Sequence, residues 1–339
     1  VKAKKADPFE RFKDLEAEHC WQYEVRLRNM QEDLQEIGKD LAWAESLRTT
    51  DFDFVAVAEP AKLMLPHCYT EKVYKKKHKE YRADVKKYKE QCDEVRDFII
   101  RHEFLGCLPN RPTHRFTARM KKTGELAGVV VMAVPNTFSH LIGKDNKNMV
   151  KLVSRGASIS WAPKNLGSWI VSRSCKWMVQ NTRFRAFEAY SDPLAKELGT
   201  IYQALNWTYL GQTSGTAKVY RDPKDKARGW FSDRDFRKKS KYKRYAESLG
   251  IGASEWKKYM GKYTPKWKEM EVTTPGLKDK LKAKEKQYRE SCEWRVVPPK
   301  HKYCFILGRT KKETKQLYKL FNDNNPKKVG LSYPKERGE

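Results

Sequence analysis

The sequence has no paired cysteines, no clustered histidines and no long apolar runs, and it is short of acid. Its seven cysteines (Cys20, Cys68, Cys92, Cys107, Cys175, Cys292, Cys304) lie far apart, are odd in number and form no CxxC pair. That spacing argues against a disulfide framework and a zinc ribbon, and it fits reduced thiols. The seven histidines are too scattered for metal-ligand spacing, so no metal site is expected. No stretch approaches the ~20 apolar residues needed to cross a bilayer, and no apolar segment follows the basic opening VKAKKADPFERFKD. The expectation is a soluble cytoplasmic protein with no membrane partner. The lack of acid says most: 43 Asp and Glu stand against 71 Lys and Arg, giving a formal net charge of +28. Such an excess repels itself unless it faces a polyanion, and nucleic acid is the commonest one.

What is present suffices for a folded chain. The 339 residues, 39% apolar and 12% aromatic, can fill the core of one large domain or two modest ones. From Asp7 to about Arg48 the residues Leu27, Met30, Leu34, Ile37, Leu41 and Ala44 recur three and four apart, and Tyr74 to Ile99 keeps the same rhythm. Residues 1–95 therefore read as a helical hairpin arm. On its second helix Lys75, Lys76 and Lys77, in the run KKKHK, form either a solvated face or one that tracks phosphates.

Residues 96–220 read as a compact core. RFTARMKKTGELAGVVVMAVPN gives two strands about a Thr-Gly turn, the second apolar enough to be buried on both faces. A strand over 149–161, a helix over 166–180, a strand over 184–190, a short helix and a strand from Tyr209 follow. HKYCFILG, within residues 298–339, looks like one more strand of the same sheet, ahead of a C-terminal tail. The fold class is α/β (α+β), a mixed sheet flanked by helices.

Residues 221–297 read as an insertion before that last strand. Eleven Lys or Arg stand against five Asp or Glu over 221–250, interleaved with Trp230, Phe231, Phe236, Tyr242 and Tyr245. Cations neutralise phosphates and flat rings stack on bases. Arg234, Arg237, Lys238, Lys239, Lys241, Lys243 and Arg244 are the candidate nucleic-acid contacts. The bland alternative is a solvated segment whose aromatics pack on their own domain.

The element order is similar to that of the N-acetyltransferase-like (GNAT) fold, in which the loop before the helix after the central strand cradles a pyrophosphate on backbone N–H groups. Here that loop is SWAPKNLGSWIVSRS, with the single glycine Gly167, a poor match to an acetyl-CoA loop; Asn165, Gly167 and Ser168 are its candidate donor-binding residues, and the donor itself is not legible. Five pieces in order, RHEFLGCLP, LVSRG, NLGSW, YSDP followed by GTIYQALNWTYLGQT, and PPKHKYCFILG, resemble the Mom DNA-modification proteins of bacteriophages, a divergent branch of that fold. The resemblance spans roughly Val95 to Leu307. It departs from the family at His102-Glu103-Phe104, where His-Tyr is usual.

The resemblance implies a transferase in the host cytoplasm that adds a carbamoylmethyl-type group to N6 of adenine in phage DNA, protecting it from restriction. It places functional positions at His102, Arg155, Ser168, Asp192 and Tyr202. Asp192, on a turn at a strand end, suits a proton acceptor for a weakly nucleophilic amine; Tyr202 suits stabilisation of the departing group; Arg155 suits an anionic donor or a phosphate. The partner implied is double-stranded DNA with the target base flipped out, with RNA possible; the oligomeric state is not legible. Each residue also has a plain reading: Asp192 as a turn former, Tyr202 as core, Arg155 as a surface ion pair, Ser168 as a helix cap, His102 as a packed helix end. Two other functions stay open: a GNAT-type acyltransferase on RNA or on a modified base, and a non-catalytic nucleic-acid-binding phage protein.

Overall fold

The computed structural model describes residues 30–61, 71–103, 105–109, 111–135, 140–193, 197–213, 217–225, 230–261, 265–328 and 330–335. The helix expected from Asp7 lies outside them up to residue 29. Contacts divide the described residues into two compact units: those from residue 30 to Thr213 together with Lys300 onward, and those between.

The first unit is built on a seven-stranded mixed sheet, ordered β1-β2-β3-β4-β5-β10-β6. Its strands are β1 (Phe52–Val57), β2 (Pro112–Met120), β3 (Leu126–Ala133), β4 (Val150–Ser158), β5 (Ala186–Ser191), β6 (Thr208–Gln212) and β10 (His301–Ile306). All neighbours are antiparallel except β4 and β5. A parallel pair needs a crossover, and helix α4 (Leu166–Asn181) supplies it. One face of the sheet meets α4, whose Ile170, Cys175 and Met178 pack with Phe116, Val130 and Phe187. The other face meets two helices. Val95 and Ile99 of α3 (Glu71–His102) cover Val129 and Val131, and Leu317 and Phe321 of α10 (Lys311–Asn324) cover Ala186, Cys304 and Ile306. Strand β3 is thus covered on both sides, as its apolar run requires; Ala127 to Ala133 are all buried.

The N-terminal reading changes in two places. The first helical run breaks: α1 covers residues 30–36, Gly38 takes a φ of 63°, and α2 (Leu41–Ser46) starts anew with Asp40 capping it. The β-prone patch becomes β1, hydrogen-bonded along its length to β2. Those residues belong to the main sheet and not to a separate arm. The C-terminal tail also holds α10, which the sequence reading passed over; Thr310 caps it, its hydroxyl accepting from the N–H of Glu313.

The second unit holds a three-stranded antiparallel sheet, ordered β8-β7-β9, of β7 (Ala217–Arg221), β8 (Phe231–Ser232) and β9 (Glu293–Val297). Among the described residues α6 (Lys239–Glu247), α7 (Ala253–Tyr259), α8 (Trp267–Thr273) and α9 (Leu277–Glu290) accompany it. Tyr242, Tyr245, Trp256, Met270 and Leu281 form one small core, and Tyr220, Phe236 and Cys292 a second. The aromatics of the insertion are therefore mostly interior: Phe236, Tyr242 and Tyr245 are buried. A unit of this size has few other residues large enough to exclude water.

Candidate active site

Strands β4 and β5 pair only from Val150↔Ala186 to Val153↔Ala189. Beyond that the register of β4 against β3 slips at Ser154, and β5 continues against β10 alone. A parallel pair that parts at its C-terminal ends leaves a crevice where the connections emerge. Arg155 stands on one lip, on β4, and Asp192 follows β5 on the other.

The register brings a cation to Asp192. Ser191 pairs with His301, so the next residues outward, Asp192 and Lys300, face each other. Lys300 Nζ lies 2.6 Å from Asp192 Oδ2, and the Asp192 side chain is only 13% exposed. Lys300 is fixed by its own backbone: its N–H donates to Thr213 Oγ1 at 3.0 Å, and its carbonyl accepts from Thr213 N–H at 2.8 Å.

Two further carboxylates belong to this cluster, and neither was singled out from the sequence. Glu103, just past the end of α3, accepts from the N–H of Leu105 at 2.7 Å and lies 3.7 Å from Arg155 Nε. Burial raises its pKa, against the opposing pull of Arg155 and Lys300. Glu197 accepts a long 3.4 Å hydrogen bond from Asp192 N–H. The residue is exposed, so its carboxyl pKa rises to at most about 7, through burial first and the Glu103 and Asp192 charges next. Glu197 thus passes from its acid to its base form at or below neutral pH.

Tyr202 is carried by the five-residue helix α5 (Thr200–Ala204), which starts at Gly199 with φ 73°. Only glycine fits there: a Cβ would lie 2.8 Å from Tyr303 Cζ. The Tyr303 hydroxyl donates to Leu198 O, and the Tyr202 ring rests on Trp207 and Tyr303, with centroids 4.9 and 5.3 Å away. Burial, and next the Glu197 charge, push the Tyr202 phenol well above its ordinary pKa. It stays protonated at neutral pH.

The remaining expected residues divide. Arg155 is largely engaged by the protein, its Nε donating to Cys107 O at 2.8 Å and Nη1 to Ser154 O at 2.6 Å. It ties the turn after α3 to β4, which leaves little of its guanidinium for a ligand. His102 ends α3 with its ring 4.5 Å from Phe98. Ser168 Oγ donates to Asn165 O at 3.1 Å in the first turn of α4. Gly167 faces α5: a Cβ there would come 3.1 Å from Ile201 Cδ1.

Asn165 and Ser168 instead border an open groove of about 590 Å³ along α4, half polar and half apolar, with Ser172, Arg173 and Lys176 on one side and Trp169 and Leu205 among its apolar walls. The Asn165 side chain does not cap the helix, and Leu166 N–H already donates to Pro163 O; the helix dipole at that end favours an anionic group, and Arg173 and Lys176 carry positive charge farther along α4. One glycine, pressed against Ile201, does not make the glycine-rich backbone cradle of an acetyl-CoA site. Among the described residues no cluster of His, Cys, Asp and Glu suits a metal ion, and no helix is long and apolar enough to cross a membrane.

The candidate nucleic-acid contacts are only partly available. Arg237 pairs with Asp233, Lys238 with Asp235, and Lys243 lies 3.7 Å from Glu247. Lys241 is buried, donating to the Tyr288 hydroxyl at 3.0 Å; on α6 it shares the inward stripe of Tyr242, Tyr245 and Ala246. Arg234, Lys239 and Arg244 stay exposed. Lys75 pairs with Glu71 at 2.6 Å, and Lys76 and Lys77 lie beside it on α3.

A sequence profile of the Mom protein family matches residues 89–290, more than half of the chain. The chain belongs to that family. The matched stretch contains Glu103, Arg155, Ser168, Asp192, Glu197 and Tyr202, whereas Lys300 lies beyond it. The Mom-family chain also has partial likenesses among solved structures. The ribosomal-protein-S5-alanine acetyltransferase from Vibrio fischeri matches at 16% identity with a TM-score of 0.24, over 31% of this chain and 52% of that one. An N-acetyltransferase from Staphylococcus aureus Mu50 matches at 14% identity with a TM-score of 0.23, over 31% and 56%. The chain thus spans about half the length of each. No curated protein matches it.

Proposed function

We propose that this Mom-family chain is a GNAT-like transferase that modifies N6 of adenine in DNA, with a carbamoylmethyl-type group as the group added. What supports the reading is the placing of Asp192 against Lys300 and Glu197 at the ends of β4 and β5, with the Tyr202 phenol near enough to feel the Glu197 charge, within a chain of this family. Adenine N6 is a weak nucleophile because its lone pair is delocalised into the ring, so a carboxylate positioned to accept its proton speeds attack by about 10²- to 10⁴-fold. N6 forms a bond to the transferred carbon, the donor's bond to that carbon breaks with its electron pair leaving on the donor, and the N6 proton passes to the Asp192–Glu197 pair. A base with a pKa near the working pH is well matched to the task, which favours Glu197 as the residue that accepts and Asp192, paired with Lys300, as its neighbour. Tyr202 hydrogen-bonds the charge that grows on the departing group. An anionic donor lies on the α4 groove near Asn165, Ser168, Arg173 and Lys176.

Adenine within a duplex cannot enter such a crevice, so the target base is flipped out, at a cost of a few kcal/mol. The test is mass spectrometry of nucleosides from the DNA and the RNA of cells expressing the chain. A new adduct of deoxyadenosine is expected; an adduct confined to RNA would move the activity to the acyltransferase alternative.

A further inference from the structure

With Phe236, Tyr242 and Tyr245 in the interior, the aromatic surface of the second unit lies elsewhere. Trp294 of β9 is 55% exposed, and no other aromatic among the described residues is a large exposed apolar side chain. The antiparallel register sets Tyr220 opposite Trp294 and Lys218 opposite Val296. These four share one face of the small sheet, because residues directly opposite in a ladder point the same way. Tyr220 is covered by Phe231 and Phe236, while Trp294 and the half-exposed Val296 are left on the outer strand. Lys218 Nζ stands 3.7 Å from the centre of the Trp294 ring. On the opposite face the guanidiniums of Arg221 and Arg295 flank Trp230, 5.0 and 4.4 Å from its ring.

An exposed indole with an ammonium over one ring face, in a unit where cations outnumber acids, has on its other face the features of a surface for unstacked bases. The ring takes a base face of any identity, and the cation takes the neighbouring phosphate. Paired DNA offers no free base face, which selects an unpaired strand. We propose that the Trp294–Lys218 face of this sheet is a stacking platform for an unpaired stretch of DNA. The proposal rests on the reading that the chain acts on DNA, and it adds to that reading a contact for unpaired DNA on the second unit. The platform lies outside the cations picked out in the sequence and, at Trp294, beyond the stretch matched to the family.

The test is fluorescence anisotropy of the full chain with a labelled single-stranded DNA oligonucleotide, the same oligonucleotide as a duplex, and its RNA counterpart. Trp294→Ala is expected to weaken single-strand binding by roughly 5- to 150-fold, the range for one stacked base, while Trp294→Phe keeps most of it. Duplex binding is expected to change by less than about twofold. Lys218→Ala is expected to shallow the salt dependence by roughly 0.7 in slope, one phosphate contact on a single strand. Thermal melts check that the variants fold, which an exposed position favours.

Single-strand binding unchanged in Trp294→Ala would overturn the platform and leave the face to a protein partner. Preference for RNA over DNA by more than about tenfold would overturn it as well. The nucleoside assay separates this outcome from the transferase reading: DNA adducts with unaltered binding in Trp294→Ala sink the platform alone, and lost binding without any adduct sinks the transferase alone.

Discussion

Lys300 Nζ and Asp192 Oδ2 meet at 2.6 Å, at the point where the chain re-enters the main sheet after its long excursion. Thr213, where the excursion leaves, holds the Lys300 backbone through two hydrogen bonds. Lys300→Met removes the ammonium that faces a mostly buried carboxylate. Because Lys300 is itself 43% exposed, the stability loss is expected to be about 1 kcal/mol, the upper part of the range for such pairs. Lys300→Arg should restore it. Urea denaturation measures both.

Gly199→Ala tests how α5 is aimed. The left-handed backbone costs a non-glycine residue roughly 1–2 kcal/mol, and the new methyl would press on the Tyr303 ring. A loss of at least about 2 kcal/mol is expected, with displacement of Tyr202. A melting temperature within about 2 °C of wild type would show that the turn relaxes without strain.

Glu188 gives the fold a pH dependence. It is buried on β5, its Oε1 has no hydrogen-bond partner, and burial raises its pKa to about 7 despite Lys302 nearby. The folded state therefore holds a proton that the unfolded state has already released above about pH 4.5. Stability contributed by this group is present at low pH, declines as pH rises from about 4.5 to 7, and stays lower beyond. Glu188→Gln removes the decline. It is expected to be more stable than wild type at pH 8, by on the order of 2 kcal/mol, and nearly equal to it at pH 4.5. Thermal melts at both pH values decide.

Thr310→Ala removes the cap of α10, whose hydroxyl accepts from Glu313 N–H at 3.1 Å. A loss of about 1 kcal/mol is expected. Thr310→Ser should keep most of the stability, and a denaturant titration of the two variants against wild type reads the difference.

The main sheet was legible where local pattern and burial agree. The apolar run of β3, the turn before it and the amphipathic α4 each announce themselves, and HKYCFILG reads as the strand that β10 proves to be. The small sheet was not legible: β8 has two residues, and β9 carries Glu293, Trp294 and Arg295 in a row with most of its side chains exposed, so neither shows alternation. Helix α10 left a signal that was available, the Thr310-x-x-Glu313 capping pattern. The candidate site was half legible. Asp192 and Tyr202 stand in one motif, and Glu197 lies between them in the same stretch and could have been read there; Glu103 and Lys300 come to them only through the end of α3 and the β5–β10 register. Only the tertiary pairing brings such distant residues into one cluster. Of the expected insertion contacts Lys241 alone is buried: there, as at Tyr242 and Tyr245, the composition that suits nucleic acid serves the interior of a small unit.

The most direct measurement is the amount of modified deoxyadenosine in DNA from cells expressing wild type, Asp192→Asn or Glu197→Gln at matched levels of folded protein. The account expects a clear adduct with wild type and a fall of about 100-fold or more in both variants, the lower end of what a positioned proton acceptor contributes. Adduct undiminished in both variants, or none in wild-type DNA, would contradict it.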